Sequence, residues 1–355
     1  MAKLDIRESM EMFTLAVKSE VVKIKAKPDR GFRQFFKDVV HDKKGYKFFV
    51  RKGKKRVAVD RHIFEAGQHV RTEDSTQVEV FPGYFDEYTD YSAFDEYENV
   101  VGFADTVEST NYQNLVAKVA ETTADSEAAF DRAEELMCAQ LLLTGTVQLK
   151  CGDSLVFPRD ADSIIAYNAA HAFGIETVNP EKIFAKAANF IINKGYYSNG
   201  RFICIMAEDV WIDFKNNPTV QKQADLKDAS FMNLETGNTL EQLVPQGVYS
   251  AGANKFNIFT YSAEYDHPVT GVKTKYLDPK AMVIMPDSVD LEFVYCGVPT
   301  LQGTPGKREA RVKAGKRLYY RYENERGKSI ELGVMSAFMP VLSNVDSVVT
   351  VTTRS

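Results

Sequence analysis

The chain has 355 residues, 44% of them apolar and 26% charged, with a formal net charge of −5. That length fits one large domain or about two to three smaller ones, and the composition is that of a folded chain. The small negative total excludes a global electrostatic pull toward nucleic acid or anionic membrane, so any such binding must be local.

In chain order, MEMFTLAVKSEVVKIK (10–25) predicts a short helix followed by a strand, which Pro28 and Gly31 break. The N-terminus has no apolar run after its charges and does not read as a signal peptide, and no window approaches the apolar length of a membrane span. Phe32, Phe35 and Phe36 have helical spacing and are expected to anchor their segment on an apolar surface.

From 45 to 85 the apolar period becomes two. Tyr46, Phe48 and Val50 alternate with Lys47 and Arg51, Gly53 sits in a polar turn, and Val57 and Val59 follow, which predicts a hairpin. TQVEVFPGY (76–84) predicts a second alternating run closed by Pro82-Gly83. This segment has too few large apolar residues for a core of its own, so it predicts an extended flap that leans on another surface.

Residues 112–144 predict a long helix with a candidate break at Thr122–Ser126, Ser126 as the cap of its second part, and a stripe of Phe130, Ala133, Met137 and Leu141. Short strands TVQLK and SLVF come next. SIIAYNAAHAF (163–173) predicts a helix stopped by Gly174. NPEKIFAKAANFIINKG (179–195) predicts a helix capped by Asn179, with Pro180 in its first turn and Gly195 at its end. RFICIM predicts a buried strand, and Asp209 the cap of a helix that Pro218 stops. Beyond 240 the runs KFNIFTYSAEY, VKTKYLD, AMVIMP, LEFVYCG, KRLYYRYEN, KSIELGVMSAF and VDSVVTVTT are strand candidates. The class is α+β.

Motifs for chemistry are absent. Gly306-Lys307 and Gly327-Lys328-Ser329 lack the upstream glycine of a phosphate loop, since positions 301 and 322 are Leu and Tyr. His41, His62, His69, His171 and His267 form no HExxH pair, and cysteines 138, 151, 204 and 296 form no CxxC or zinc spacing; they read as reduced, mostly buried thiols. YFDEYTDYSAFDEYE (84–98) lacks the spacing of a calcium loop. No catalytic, cofactor or metal residue is assigned, and the chain does not read as an enzyme.

Charge patterning is the strongest local signal. Nine of the nineteen residues from Lys43 to Arg61 are Lys or Arg, and only Asp60 opposes them; nine acidic residues then fall between Glu73 and Glu98. Lys47, Arg51, Lys52, Lys54, Lys55 and Arg56, with Phe48 and Phe49 interleaved, suit a nucleic-acid-binding hairpin over 43–61. Opposed blocks on one flap suit a contact between copies better, because complementary patches fix register and speed correct encounter. Candidate inter-subunit residues are therefore Lys47, Arg51, Lys52, Lys54, Lys55, Arg56, Asp86, Glu87, Asp90, Asp95 and Glu96.

Taken in order, several stretches resemble the lambda-type major capsid proteins of tailed phages, the major capsid protein E family. YKFFVRKGKKRVAVDRHIFEAGQ and VEVFPGYFDEYTDYSAFDEY resemble the two legs of that family's flap, and FDRAEELMCAQLLLTGTVQL its long helix. FTYSAEYDHPVTGVKTKYLDPKAMVIMP resembles its hairpin before a Leu-Asp-Pro, and MSAFMPVLSNVDSVVTVTT its closing segment. The flap here is more basic than is usual in the family, and its return leg lacks the basic residues often seen near FPGY.

The resemblance implies a Hong Kong 97-type capsid fold. Its parts would be an N-terminal arm (1–44), an extended loop (45–90), a peripheral domain (91–154) with a spine helix near 112–144, an axial domain (155–330), and a C-terminal strand (331–355) returning to the peripheral domain. It further implies pentamers and hexamers of an icosahedral shell around double-stranded DNA, in a virion assembled in the host cytoplasm. The implied partners are the chain itself, scaffolding, portal and decoration proteins, and packaged DNA held on the inner face without sequence specificity, with no cofactor and no membrane. A nanocompartment shell of the same fold is the nearest alternative.

Overall fold

The structure is a computed structural model that describes residues 30–51, 75–92, 108–149, 154–195, 197, 199–226, 242–268, 270–302, 309–323 and 329–354. The expected N-terminal helix and strand, the Gly53 turn, and Val57 and Val59 lie outside the described residues.

The chain runs β1 (Lys37–Val40), β2 (Tyr46–Arg51), β3 (Ser75–Val80), β4 (Gly83–Ser92), α1 (Glu108–Thr144), β5 (Thr146–Gln148), β6 (Ser154–Val156), β7 (Ile164–Ile165), α2 (Pro180–Lys194), β8 (Arg201–Ala207), α3 (Glu208–Asn216) and α4 (Pro218–Leu226). Its second half is mostly sheet: β9 (Val244–Ala251), β10 (Asn254–Tyr261), β11 (Glu264–Asp266), β12 (Lys273–Lys275), β13 (Ala281–Pro286), β14 (Leu291–Tyr295), β15 (Val298–Gln302), β16 (Glu309–Lys313), β17 (Leu318–Glu323), β18 (Ser329–Leu342) and β19 (Val349–Thr352).

Helix α1 is 37 residues long, about 55 Å at 1.5 Å per residue, and has no break at Thr122–Ser126. Thr122 and Thr123 donate their hydroxyls to the Val119 carbonyl at 3.0 and 2.7 Å, so both are satisfied inside the helix, and Ser126 is an interior residue and not a cap. Gly145, at φ +73°, ends it by donating its N–H to the Leu141 carbonyl at 2.9 Å. Helix α2 matches its sequence signature: Asn179 accepts from the Glu181 N–H at 2.9 Å, and Ile183, Phe184, Ala187 and Ile191 are buried.

Residues 163–173 do not form the expected helix. Asp160 and Asn168 accept from the N–H groups of Asp162 and Ala170, which favours short 3-10 turns on either side of β7. Asp209 lies in the first turn of α3, beside the positive end of the helix, while Ala207 holds the cap position. Pro218 both follows α3 and opens α4, where Asn217 accepts from the Thr219 N–H at 3.0 Å.

Two sheets carry the core. The six-stranded sheet has the order β7-β19-β13-β8-β10-β9, with β8–β10 and β7–β19 parallel and the other pairs antiparallel. Phe173, Phe184, Phe214, Tyr249 and Phe256 pack together around α2, α3 and this sheet. The five-stranded sheet has the order β1-β14-β18-β17, with β4 also on β18. Phe338 pairs with both Gly83 and Tyr295, so β4 lies along one side of β18 and β14 along the other. Helix α1 backs this sheet through Phe130, which meets Phe338 and Phe85 at 6.4 and 6.0 Å. Strand β2 pairs with β3, from Tyr46 opposite Val80 to Arg51 opposite Ser75, and this two-stranded limb joins neither large sheet.

Candidate functional site

Glu127, Asp131, Glu134 and Glu135 lie along one side of α1, and all are buried. Burying several carboxylates on one helix is costly unless each is paired. The Glu135 carboxylate accepts from the backbone N–H groups of Phe32 and Arg33 at 2.7 and 2.9 Å and from the Tyr261 hydroxyl at 2.9 Å. Arg33 donates through Nε to Glu134 at 3.0 Å, reaches the Phe36 carbonyl, the Tyr295 hydroxyl and Asp38 through its other nitrogens, and lies 3.9 Å from the Phe293 ring centre. Arg317 donates to Asp131 at 2.8 Å and pairs with Glu134 at 2.8 Å, and Tyr319 donates its hydroxyl to Glu127.

The electrostatics follow from this packing. Burial pushes the Glu135 carboxyl above its usual range, while the two N–H groups and the Tyr261 hydroxyl pull it part of the way back. Burial acts upward on Asp38 too, but the Arg33 and Lys316 donors outweigh it and hold that carboxyl below the usual range. Gly31 permits the close approach: a Cβ there would lie 2.3 Å from Cε2 of Tyr261. The junction thus ties the root of the N-terminal segment (31–38) to α1, to the six-stranded sheet through Tyr261 and to the five-stranded sheet through Tyr295.

A second clamp closes the C-terminal end of α1. Arg159 donates to the carbonyls of Leu142, Val348 and Ser163 at 2.8, 2.6 and 3.3 Å and to the Thr350 hydroxyl at 3.3 Å. A guanidinium at a helix C-terminus also meets the negative end of the dipole. Burial lowers its pKa to about 10, with Asp346 acting in the opposite direction.

Among the described residues, the limb is held to this body around Tyr46 and Phe48. Tyr46 donates to Glu292 at 3.0 Å, and burial together with that carboxylate raises its phenol to about 12. Phe48 is buried between Tyr46 and Phe157, with ring centres 6.4 and 5.6 Å away. Lys47 pairs with Glu79 across the ladder at 3.3 Å; both side chains are about half exposed, so the pair contributes no more than about 1 kcal/mol. Arg51 is the last residue of the ladder, while Lys52, Lys54, Lys55, Arg56, Asp95 and Glu96 lie outside the described residues.

Strand β4 brings Asp86, Glu87 and Asp90 together. Phe85 points inward and stacks on Phe338 at 4.2 Å, so Tyr84, Asp86, Tyr88 and Asp90 share the opposite, exposed face. Tyr320 crosses Gly333 on that face and donates to Asp86 at 2.7 Å. Asp90 is directly opposite Glu331, a like-charge pair that disfavours the ladder by itself. A groove of about 590 Å³ runs beside them, lined by Tyr84, Asp86, Pro299, Lys313, Tyr320 and Glu331 among others. Among the described residues, β4 pairs only with β18.

The buried junction escaped sequence reasoning, which saw only the apolar stripe of α1. The usable signal was acidic residues at 127, 131, 134 and 135 on a helix expected to be packed. Among the described residues, no group of His, Cys, Asp or Glu is placed to hold a metal ion, and no helix is long and apolar enough to cross a membrane.

The sequence profile of the phage major capsid protein E family matches residues 31–353. No curated protein matches the chain in sequence. Among solved structures, a prophage protein of E. coli CFT073 assigned as a capsid protein superposes with a TM-score of 0.62 at 13% identity, over 95% of this chain and 98% of that one. A phage-related protein of Bordetella bronchiseptica RB50 superposes with a TM-score of 0.51 at 12% identity, over 95% of each. Identities this low speak to the fold alone.

Proposed function

Because the chain belongs to the phage major capsid protein E family, we propose that its arm, its limb and its two sheets divide the work of building a shell. It is a structural component of a phage virion with the α+β Hong Kong 97-type fold, and its copies assemble into the icosahedral capsid. Its family does not favour the nanocompartment shell or the nucleic-acid-binding hairpin over 43–61.

In this proposal residues 1–44 are the arm, 45–90 the extended loop and 91–154 the peripheral domain around its spine helix. Residues 155–330 form the axial domain, which meets its copies in pentamers and hexamers, and 331–355 close the subunit. The role is structural, without catalysis. Packaged double-stranded DNA touches the inner face without sequence specificity, scaffolding, portal and decoration proteins are the other partners, and assembly takes place in the host cytoplasm.

The observation that carries the proposal is the limb. Its described holds on its own body are concentrated at one end, around Tyr46 and Phe48, while its charged residues continue past the other. A two-stranded ribbon is marginal alone and needs a surface to lie on. In a shell that surface is a sister subunit, and contacts from limb, arm and axial domain, each modest, multiply when engaged together. The basic set Arg51, Lys52, Lys54, Lys55 and Arg56 and the acidic set Asp86, Glu87, Asp90, Asp95 and Glu96 are then the charged inter-subunit contacts that fix register, with Lys47 contributing beside its own Glu79.

The test is Lys54→Glu with Lys55→Glu. The variant is expected to keep its circular dichroism and its monomer sedimentation while failing to form particles. Normal assembly with a loss of DNA affinity would overturn the subunit-contact role.

A further inference from the structure

We propose that the groove beside α2 receives the acidic face of α3 from a second copy of this chain, with Ile212 of that copy as its apolar plug. The proposal rests on the capsid role above and names one contact by which copies join head to tail.

The groove, about 590 Å³, lies between α2 and the segment that follows β7. Ile165, Val178 and Ile183 give it a buried apolar floor, and the exposed Lys182 and Lys186 line it one helical turn apart. His171 completes the lining, with its Nδ1 shielded from solvent and without a hydrogen-bond partner. Among the described residues neither lysine is in an ion pair, and no carboxylate lines the groove. An occupant that satisfies this site brings an apolar side chain flanked by carboxylates.

Helix α3 presents that combination. Ile212 is about half exposed, and Glu208 and Asp209 stand one turn before it on the same side, in the first turn of the helix. Arg354 pairs with Asp209 and Asp213 at 3.3 and 3.1 Å. One guanidinium against two carboxylates, with Glu208 in no ion pair among the described residues, leaves this end negative. Lys215, in the last turn, sets the direction. Laid antiparallel to α2, α3 puts Glu208 beside Lys186, Ile212 beside Lys182 and Lys215 toward Glu181, whereas the parallel arrangement brings Lys215 toward Lys186. Tyr88 of β4 is also exposed between two carboxylates, but strand spacing sets Asp86 and Asp90 about 14 Å apart, against about 6 Å between the two lysines.

The donor is a second copy because plug and groove point apart within one. Phe184 of α2 and Phe214 of α3 pack together, with ring centres 5.7 Å apart. Lys182 and Lys186 flank Phe184 by two residues, and Ile212 precedes Phe214 by two, which at 3.6 residues per turn is about 160–200° around each helix. The groove rim and the plug therefore lie on opposite sides of the α2–α3 pair. A subunit with a plug on one side and a groove on the other makes a heterologous contact, which repeats from copy to copy and closes into a ring when the rotation allows.

The experiment mixes two singly substituted full-length chains, one with Lys182→Cys or Lys186→Cys and the other with Ile212→Cys, assembles them together and oxidises the particles. All three positions are exposed, so the subunit should fold as before. Disulfide-linked dimers are expected, with few or none when the first chain carries Asn193→Cys, further along α2, in their place. Particles that form normally without such a link overturn the proposal but leave the capsid role intact. Failure of the unsubstituted chain to form particles overturns the capsid role itself. In a chain carrying both cysteines, a link within the monomer puts the plug in its own groove and overturns the proposal, as does a link from Lys182→Cys to Tyr88→Cys in place of Ile212→Cys. A second measurement needs no cysteine. Lys182→Glu with Lys186→Glu should keep the circular dichroism of the parent and lose particle formation, and Glu208→Lys in the same chain should restore it. Assembly that is indifferent to the double reversal, or a loss that Glu208→Lys does not repair, contradicts α3 as the occupant.

Discussion

Replacing Glu135 with leucine should loosen the root of the arm more than any other single change at the junction. The carboxylate is fully buried and accepts three hydrogen bonds, from the N–H groups of Phe32 and Arg33 and from the Tyr261 hydroxyl. Leucine matches its bulk approximately but satisfies none of them. An orphaned buried donor costs about 1–3 kcal/mol, so three together cost roughly 3–6 kcal/mol once relaxation and the recovered desolvation of the carboxylate are allowed for. That is a large share of the ~5–15 kcal/mol that holds a typical domain. Glu135→Gln keeps an acceptor but turns an amide donor toward other donors, so it should fall between, at about 1–3 kcal/mol. Chemical denaturation of the dissociated subunit gives the overall loss. Limited trypsin digestion gives its location, because Arg30 is exposed and Arg33 is buried in the native junction. Faster cleavage at Arg33 in both variants, with leucine the more severe, is expected. A leucine variant within about 1 kcal/mol of the parent and equally resistant at Arg33 would refute the reasoning.

Other consequences follow from the same contacts. Gly31→Ala puts a methyl 2.3 Å from a Tyr261 ring that Glu135 holds in place, so it should cost about 1–3 kcal/mol in the same denaturation assay. Arg159→Lys keeps the charge but loses the fork that reaches the Leu142, Val348 and Ser163 carbonyls, and should cost about 2–3 kcal/mol by denaturation. Asp38 is held below its ordinary value of 3.8, so its contribution is complete above that pH and is lost as pH falls through the folded value; Asp38→Asn should flatten the acid limb of a stability–pH curve. Tyr46 is raised from 10 to about 12, so its contribution is complete below pH 10 and lost between there and about 12. Burial raises Tyr249, Tyr295 and Tyr320 as well, so the readout is a difference: Tyr46→Phe should remove one tyrosine from the late-titrating phenolate absorbance.

How much the sequence revealed depended on how local the determining physics was. Helix α2 was legible because Asn179, Pro180 and Gly195 each act within a few residues of themselves. The strand period of 46–51 was legible, but its described partner is 75–80, a pairing between segments far apart in sequence that period alone does not specify. Residues 163–173 were misread because Asp160 and Asn168 take backbone N–H groups that a helix would need. Ser126 looked like a cap only in isolation, since Thr122 and Thr123 bond back to Val119 and let α1 continue. The buried junction was not legible because its partners, Arg33, Tyr261, Tyr295 and Arg317, are brought to α1 only by the tertiary fold. Of the candidate contact residues, Asp86, Glu87 and Asp90 gather on one strand, and Lys47 spends its charge on Glu79 of its own limb.

The most direct measurement is an electron cryo-microscopy reconstruction of the particles formed by the purified chain, read at the 46–80 limb. The account predicts closed shells in which the limb continues from Tyr46 and Phe48 over an adjacent subunit. A chain that stays monomeric, or particles in which every limb lies back on the subunit it came from, would contradict it.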